Sequence, residues 1–174
     1  KFELGLIRNH YVGRTFIEPT QNIRSLGVKL KLSPTKTIVK NKSIILIDDS
    51  LVRGTTCHKI VKMLYEAGAK EVHVRIGCPE IKYPDFYGVD MPTKNELLAH
   101  NKSIEEMCKH IKAKSLKFLS LEGLYKALTG TKRNSSYPQF SDHYFTGDYP
   151  IKPSDNLQGL KIKQLSLLSG KSNN

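Results

Sequence analysis

The clearest feature of the hydrophobic pattern is a short apolar run, Ile44-Ile45-Leu46-Ile47, which Asp48 ends. A run this short and rich in β-branched side chains predicts a strand over 43–47, buried on both faces. Downstream, Ile60, Val61, Leu64 and Ala67 recur at helical spacing. Thr55 or Thr56 can cap the start of that helix, and Gly68 can end it. A second strand follows over 71–78. Strand, helix and strand at this spacing predict parallel strands joined by a right-handed crossover. Beyond a loop over 78–92 containing three prolines, the segments 93–96 (TKNE) and 103–106 (SIEE) each match a capping box. They predict two short consecutive helices ending near Lys112. A third strand is predicted over 116–120, then a helix over 121–128 stopped by Gly130.

The flanks are less regular. Alternation of apolar and basic residues over 28–33 predicts a half-exposed strand, with Pro34 and the polar residues after it forming a turn. Pro19 can open a short helix ending at Gly27. After residue 130 the periodicity dissolves, so 131–174 is expected to be an irregular extension, and its Lys/Ser-rich end, 158–174, a mobile tail. The elements together predict an α/β fold, a parallel sheet with flanking helices.

Composition narrows the function. The chain has 174 residues, 39% hydrophobic and 25% charged, which suits one domain with a real core. Asp48 and Asp49 cut short the longest apolar run, and no basic-then-apolar leader is present, so no membrane partner is expected. The first residue is Lys1, which suggests a fragment or a processed product. The net charge of +12 comes from scattered basic residues without a nucleic-acid motif. Phosphate on a small molecule is therefore the expected anion, not DNA or RNA. Cys57, Cys78 and Cys108 are far apart and odd in number, which fits a reducing cytoplasm and argues against a disulfide framework or a cysteine-held metal.

Candidate chemistry gathers in IILIDDSLVRGTT, residues 44–56. Two like charges, Asp48 and Asp49, stand at the predicted carboxyl end of a buried strand, where open parallel sheets bind their ligands. Gly54, Thr55 and Thr56 fall where the next helix begins, and a helix N-terminus attracts an anion. Carboxylates for hydroxyls or a metal thus adjoin a cradle for phosphate, the pairing that a sugar phosphate presents. The structural alternative is that Asp49 or Ser50 caps a turn and Thr55 caps the helix. A phospho-receiver domain would need an Asp at the end of a later strand, and the next strand here ends in Gly77-Cys78-Pro79.

An apolar run, two acids, three residues, Gly and Thr resemble the ribose-phosphate loop of type I phosphoribosyltransferases. The wording DDSLVRGTT resembles one branch, the glutamine phosphoribosylpyrophosphate amidotransferase (amidophosphoribosyltransferase) family. RNHYVGRTFIEPTQNIR, GVKLKLSP, EAGAKEVHVRI, PDFYGVDMPTKNELLAH, FLSLEGL and YFTGDYP resemble that family in the same order, so the likeness covers roughly residues 5–152. It implies that 1–130 is the C-terminal part of a phosphoribosyltransferase domain, incomplete at its N-terminus. It implies a parent enzyme, expected to be a homo-oligomer, that transfers ammonia from glutamine to C1 of phosphoribosylpyrophosphate and releases pyrophosphate, opening purine synthesis. Asp48 and Asp49 match the acids for ribose hydroxyls and Mg²⁺. Ser50, Arg53, Gly54, Thr55 and Thr56 match the 5′-phosphate loop. Residues 8–31 resemble a closing lid, from which Arg8, Arg14 and Lys31 are the cations expected to assist the leaving group; His10 stands where the family has arginine. Purine nucleotides are the implied inhibitors. Some members hold an iron–sulfur cluster on cysteines; Asp85, Ser141 and Tyr144 occupy matching places here, so no cluster is expected. The alternatives are a catalytically silent sugar-phosphate or nucleotide binding module, and a salvage phosphoribosyltransferase sharing only the loop.

Overall fold

The computed structural model describes residues 1–9, 32–88, 93–136 and 138–151. Strands β1 (Leu6–Arg8) and β2 (Leu32–Pro34) pair antiparallel, Arg8 opposite Leu32. The turn expected after Pro34 is instead a short helix, α1 (Lys36–Val39). Its four residues, Lys-Thr-Ile-Val, are too few to show a period, but Val39 is buried in the main core, and that burial outweighs the weak local signal. The predicted helix ending at Gly27 and the tail over 158–174 lie outside the described residues, as does most of the predicted strand over 28–33.

The frame of the fold is β3 (Ser43–Asp48), α2 (Thr55–Glu66) and β4 (Glu71–Ile76), followed later by β5 (Ser115–Phe118). The three strands are parallel in the order β3-β4-β5, with Asp48 level with Ile76 and Ile76 level with Phe118. The Thr93 capping box opens only a 3-10 turn (Lys94–Glu96), which leads into α3 (Leu98–Asn101). The Ser103 box opens α4 (Ile104–Ile111), which ends with Lys112 in a left-handed conformation. One face of the sheet, through Val72, Val74, Ile76 and Leu116, packs against Cys57, Ile60, Val61 and Leu64 of α2 and Met107 and Ile111 of α4.

The other face corrects the expectation that 43–47 is buried on both sides. Ile44 and Leu46 pack on the core, but Ile45 and Ile47 are 63% and 72% exposed. Among the described residues β3 is an edge strand, and no layer covers this face. Beside it β4 and β5 present polar groups, with His73 and Arg75 both bonded to Ser115 Oγ at 2.8 and 3.0 Å. An apolar edge strand is a template for association. The isolated chain is therefore expected to self-associate, and Ile45→Lys with Ile47→Lys to weaken that association at least about tenfold, since each isoleucine buried is worth roughly 1.5–3 kcal/mol. Sedimentation velocity of both proteins over a concentration series checks this.

The last elements are α5 (Leu121–Thr129), capped by Ser120 and closed by Gly130, and α6 (His143–Thr146). The extension has no hydrophobic period, yet polar bonds hold it. Asp142 accepts from Tyr125 Oη of α5 at 2.8 Å and from Arg133 Nε at 2.5 Å, while Arg133 Nη2 reaches Asp148 at 2.6 Å. His143 Nε2 lies 2.8 Å from Asp85, and Tyr149 donates to the Pro84 carbonyl at 2.9 Å. These last contacts fasten the extension to the loop that follows β4.

Candidate functional site

Asp48 is the last residue of β3, so its carboxylate stands at the carboxyl edge of the sheet, half-buried. The Asp49 amide donates to Asp48 Oδ1 at 3.0 Å, and Ser50 Oγ donates to Asp49 Oδ1 at 3.0 Å. Burial pushes the Asp48 carboxyl up from its ordinary value of 3.8; the Asp49 charge adds to this, and the Asp49 amide opposes it. Asp49 is exposed. The pair thus couples one partly desolvated carboxylate with one open to solvent. Their repulsion is relieved when a cation or a set of hydroxyls arrives.

Alongside, the Gly77 amide donates to the Asp48 carbonyl at 2.9 Å, drawing the ends of β3 and β4 together. Two thiols lie near these acids. Burial first, then the Asp48 charge, pushes Cys57 up to about 12; burial and the Asp49 charge push Cys78 up to about 11. Both therefore stay protonated at neutral pH.

The loop after the acids is built tightly. Leu51 plugs it into the core, and Val52 O accepts from the Leu98 amide at 2.9 Å. Gly54 has φ +76°, and a Cβ there would lie 2.7 Å from Leu98 Cδ2 and 3.3 Å from His110 Cδ2. Glycine is needed for both reasons. The expectation that Thr55 or Thr56 caps α2 is corrected: Gly54 is the N-cap, and no side chain caps the helix. Its left-handed turn starts the helix without lending it a side-chain acceptor. The leading amides and the positive dipole end therefore remain available to an anion. Thr55 and Thr56 are exposed beside them.

Asp48, Asp49, Ser50, Arg53, Gly54, Thr55 and Thr56 thus form one continuous rim from strand tip to helix mouth. Arg8 is exposed on β1, while Arg14, Lys31 and His10 lie outside the described residues. Two residues that pattern reading missed support the rim from behind, Leu98 and Glu96. Glu96 was legible only as a capping-box acid, yet its Oε1 accepts from Arg53 Nε at 3.2 Å. Among the described residues, no group of three or more His, Cys, Asp or Glu could hold a metal ion.

Asp85, Ser141 and Tyr144 converge, though they are distant in sequence. His143 lies between the first two, 2.8 Å from Asp85 Oδ1 and 3.0 Å from Ser141 Oγ, while burial first, then the Asp85 charge, pushes the Tyr144 hydroxyl up. These are hard oxygen donors already engaged with one another. A cavity of about 880 Å³ beside them, between Phe140 and Tyr149, shares no residue with the strand-tip site.

No family model matches the chain. It is 55% identical to the amidophosphoribosyltransferase of Rhizobium etli over 97% of its own length and 34% of the relative's. The enzyme of the same name from Methanocaldococcus jannaschii is 60% identical over 71% of this chain and 26% of that protein. Among solved structures, the glutamine phosphoribosylpyrophosphate amidotransferase of B. subtilis, complexed with ADP and GMP, superposes with a TM-score of 0.71 at 50% identity, over 85% of this chain and 32% of that one. The chain spans about a third of the length of the Rhizobium relative. Over the part it spans, the chain belongs to the amidophosphoribosyltransferase family.

Proposed function

We propose that the rim from Asp48 to Thr56 binds phosphoribosylpyrophosphate, within a parent protein that transfers glutamine-derived ammonia to C1 of that substrate, giving 5-phosphoribosylamine, pyrophosphate and glutamate at the start of purine synthesis. The observation that carries this reading is the uncapped mouth of α2 set beside an acid pair of which Asp48 is half-buried and Asp49 exposed. The mouth suits the 5′-phosphate and the acids suit the ribose hydroxyls. Mg²⁺ held by Asp48 and Asp49 would offset negative charge on the departing pyrophosphate. Cations at Arg8, Arg14 and Lys31 would serve the same leaving group. Ammonia is already a competent nucleophile, so the site's task is to position the ribose and keep water out. Identity running through 97% of the chain favours this over a salvage enzyme that shares only the loop. The B. subtilis relative is complexed with ADP and GMP, and purine nucleotides are the regulators we propose here. No helix among the described residues is long and apolar enough to cross a membrane, and we place the protein in the cytoplasm as a homo-oligomer.

Calorimetry with phosphoribosylpyrophosphate and Mg²⁺ tests the site. Asp48→Asn with Asp49→Asn is expected to weaken binding by at least about 100-fold, since two hydrogen bonds to charged groups at about 1.5–3 kcal/mol each sum to roughly 3–6 kcal/mol. Because the Asp48 value is raised above 3.8, protons compete with the cation at a higher pH than at an ordinary aspartate. Wild-type affinity should fall as the pH descends toward that value, and the double variant should lack this fall. Unchanged affinity in the folded double variant rejects the assignment. Pyrophosphate release with ammonium in place of glutamine then separates an enzyme from a silent binder.

A further inference from the structure

We infer that Glu96 is a positioning residue for the phosphate loop, presenting the Arg53 guanidinium to the 5′-phosphate. The inference rests on the phosphate-loop reading above and goes beyond it by naming the group that orients the loop's cation. Glu96 Oε1 accepts from Arg53 Nε at 3.2 Å. That bond takes the inner nitrogen of the guanidinium. Among the described residues Nη1 and Nη2 have no hydrogen bond, so the outer fork is left for a planar or tetrahedral anion.

Glu96 is itself held. Its Oε2 accepts from the Thr93 amide at 3.2 Å and from Thr93 Oγ1 at 3.3 Å. Two residues on, the Leu98 amide donates to the Val52 carbonyl at 2.9 Å. The segment from Thr93 to Leu98 therefore fastens the loop on both sides of Arg53. Its second attachment, the Leu98 side chain, fills the space behind Gly54.

The Arg53–Glu96 pair adds little to stability, because both side chains are 49% exposed and surface ion pairs contribute little. Its use is pre-organisation. An unrestrained arginine loses rotamer freedom on binding, and prior restraint spares the ligand that cost.

Affinity for phosphoribosylpyrophosphate with Mg²⁺, measured by calorimetry on the full chain, tests this. Glu96→Ala is expected to weaken binding roughly two- to tenfold, the equivalent of freezing one rotamer-rich side chain. Glu96→Gln, which keeps an acceptor, should recover part of the loss. Arg53→Ala with Glu96→Ala should bind no worse than Arg53→Ala alone, because the second change has nothing left to orient. Glu96→Ala should melt within a few degrees of wild type, since the bonds it loses lie at exposed positions. Binding equal to or tighter than wild type in Glu96→Ala, or losses that add in the double variant, overturns the inference. If Asp48→Asn with Asp49→Asn still weakens binding in that case, the phosphate-loop reading stands without Glu96. If wild type does not bind, or the aspartate variant binds equally well, that reading fails and the inference with it.

Discussion

Gly54→Ala is expected to lose most of the site's affinity for a phosphorylated ligand and to melt well below wild type. Two separate penalties meet at this position. With φ at +76°, an alanine sits in the left-handed region, which is unfavourable by roughly 1–2 kcal/mol. The new Cβ also lies 2.7 Å from Leu98 Cδ2. Leu98 cannot simply withdraw, since it is buried and its amide is tied to Val52 O. Overpacking of that kind adds roughly 1–3 kcal/mol. The sum, roughly 2–5 kcal/mol, corresponds to a melting temperature lower by about 5–15 °C in a protein of this size. Any relief must come from the loop moving outward, which misaims the leading amides of α2. Thermal melting and calorimetry check both effects. Leu98→Ala removes the clash but loses core packing of its own, roughly 2–5 kcal/mol; in that background Gly54→Ala should show only the φ penalty, so a double-mutant cycle separates the two. A Gly54→Ala protein that melts and binds like wild type would show that the loop is not the rigid cradle described here.

Why Gly54 could be read in part from the sequence, and Leu98 could not, shows where pattern reading stops. Strand, helix and strand over 43–76 were legible because periodicity is local: Ile60, Val61 and Leu64 face the sheet whatever lies beyond it. The capping boxes at Thr93 and Ser103 were legible for the same reason. The placement of the two acids at the carboxyl end of β3 was legible because a short apolar run ends where its charges begin. The exposure of Ile45 and Ile47 was not legible. An apolar strand states that both faces prefer to be covered, but not what covers them, and here one face is open. The uncapped start of α2 was also misread, because two threonines beside a helix suggest a side-chain cap, whereas the left-handed Gly54 takes that place. Partners far apart in the chain leave no spacing to read. Arg53 meets Glu96 across 43 residues, and Asp85 meets His143 across 58. Only family likeness grouped Asp85, Ser141 and Tyr144, and it did not supply His143, the side chain around which they gather.

Asp142→Ala should be the most damaging change in the C-terminal extension. Asp142 is 3% exposed and accepts hydrogen bonds from Tyr125, Arg133 and Thr146. Truncation leaves the Tyr125 hydroxyl, itself on a buried residue, without its acceptor, and Arg133 with only part of its countercharge. Removing one partner of a buried pair is unfavourable by about 3–5 kcal/mol. The lower end applies here, because Arg133 Nη2 keeps Asp148 at 2.6 Å. Burial alone would raise the Asp142 carboxyl; the bonds from Arg133 and Tyr125 outweigh it and hold the carboxyl below 3.8. A carboxyl lowered by folding stabilises above its unfolded value, and that stabilisation is lost as pH falls through the folded value. The gap in melting temperature between wild type and Asp142→Ala should therefore be constant near neutrality and narrow below pH 3.8. Asp142→Leu with Arg133→Met, which removes both charges and keeps the volume, should be less destabilised than Asp142→Ala. Asp142→Ala also loosens the hold of the extension on the loop after β4, since Asp142 Oδ1 accepts from Thr146 Oγ1 of α6 and the neighbouring His143 bonds Asp85. Limited proteolysis of Asp142→Ala should then cut within 131–151 at temperatures where α2 and the sheet remain protected. Cleavage of both regions in step would mean that the extension and the sheet unfold as one unit.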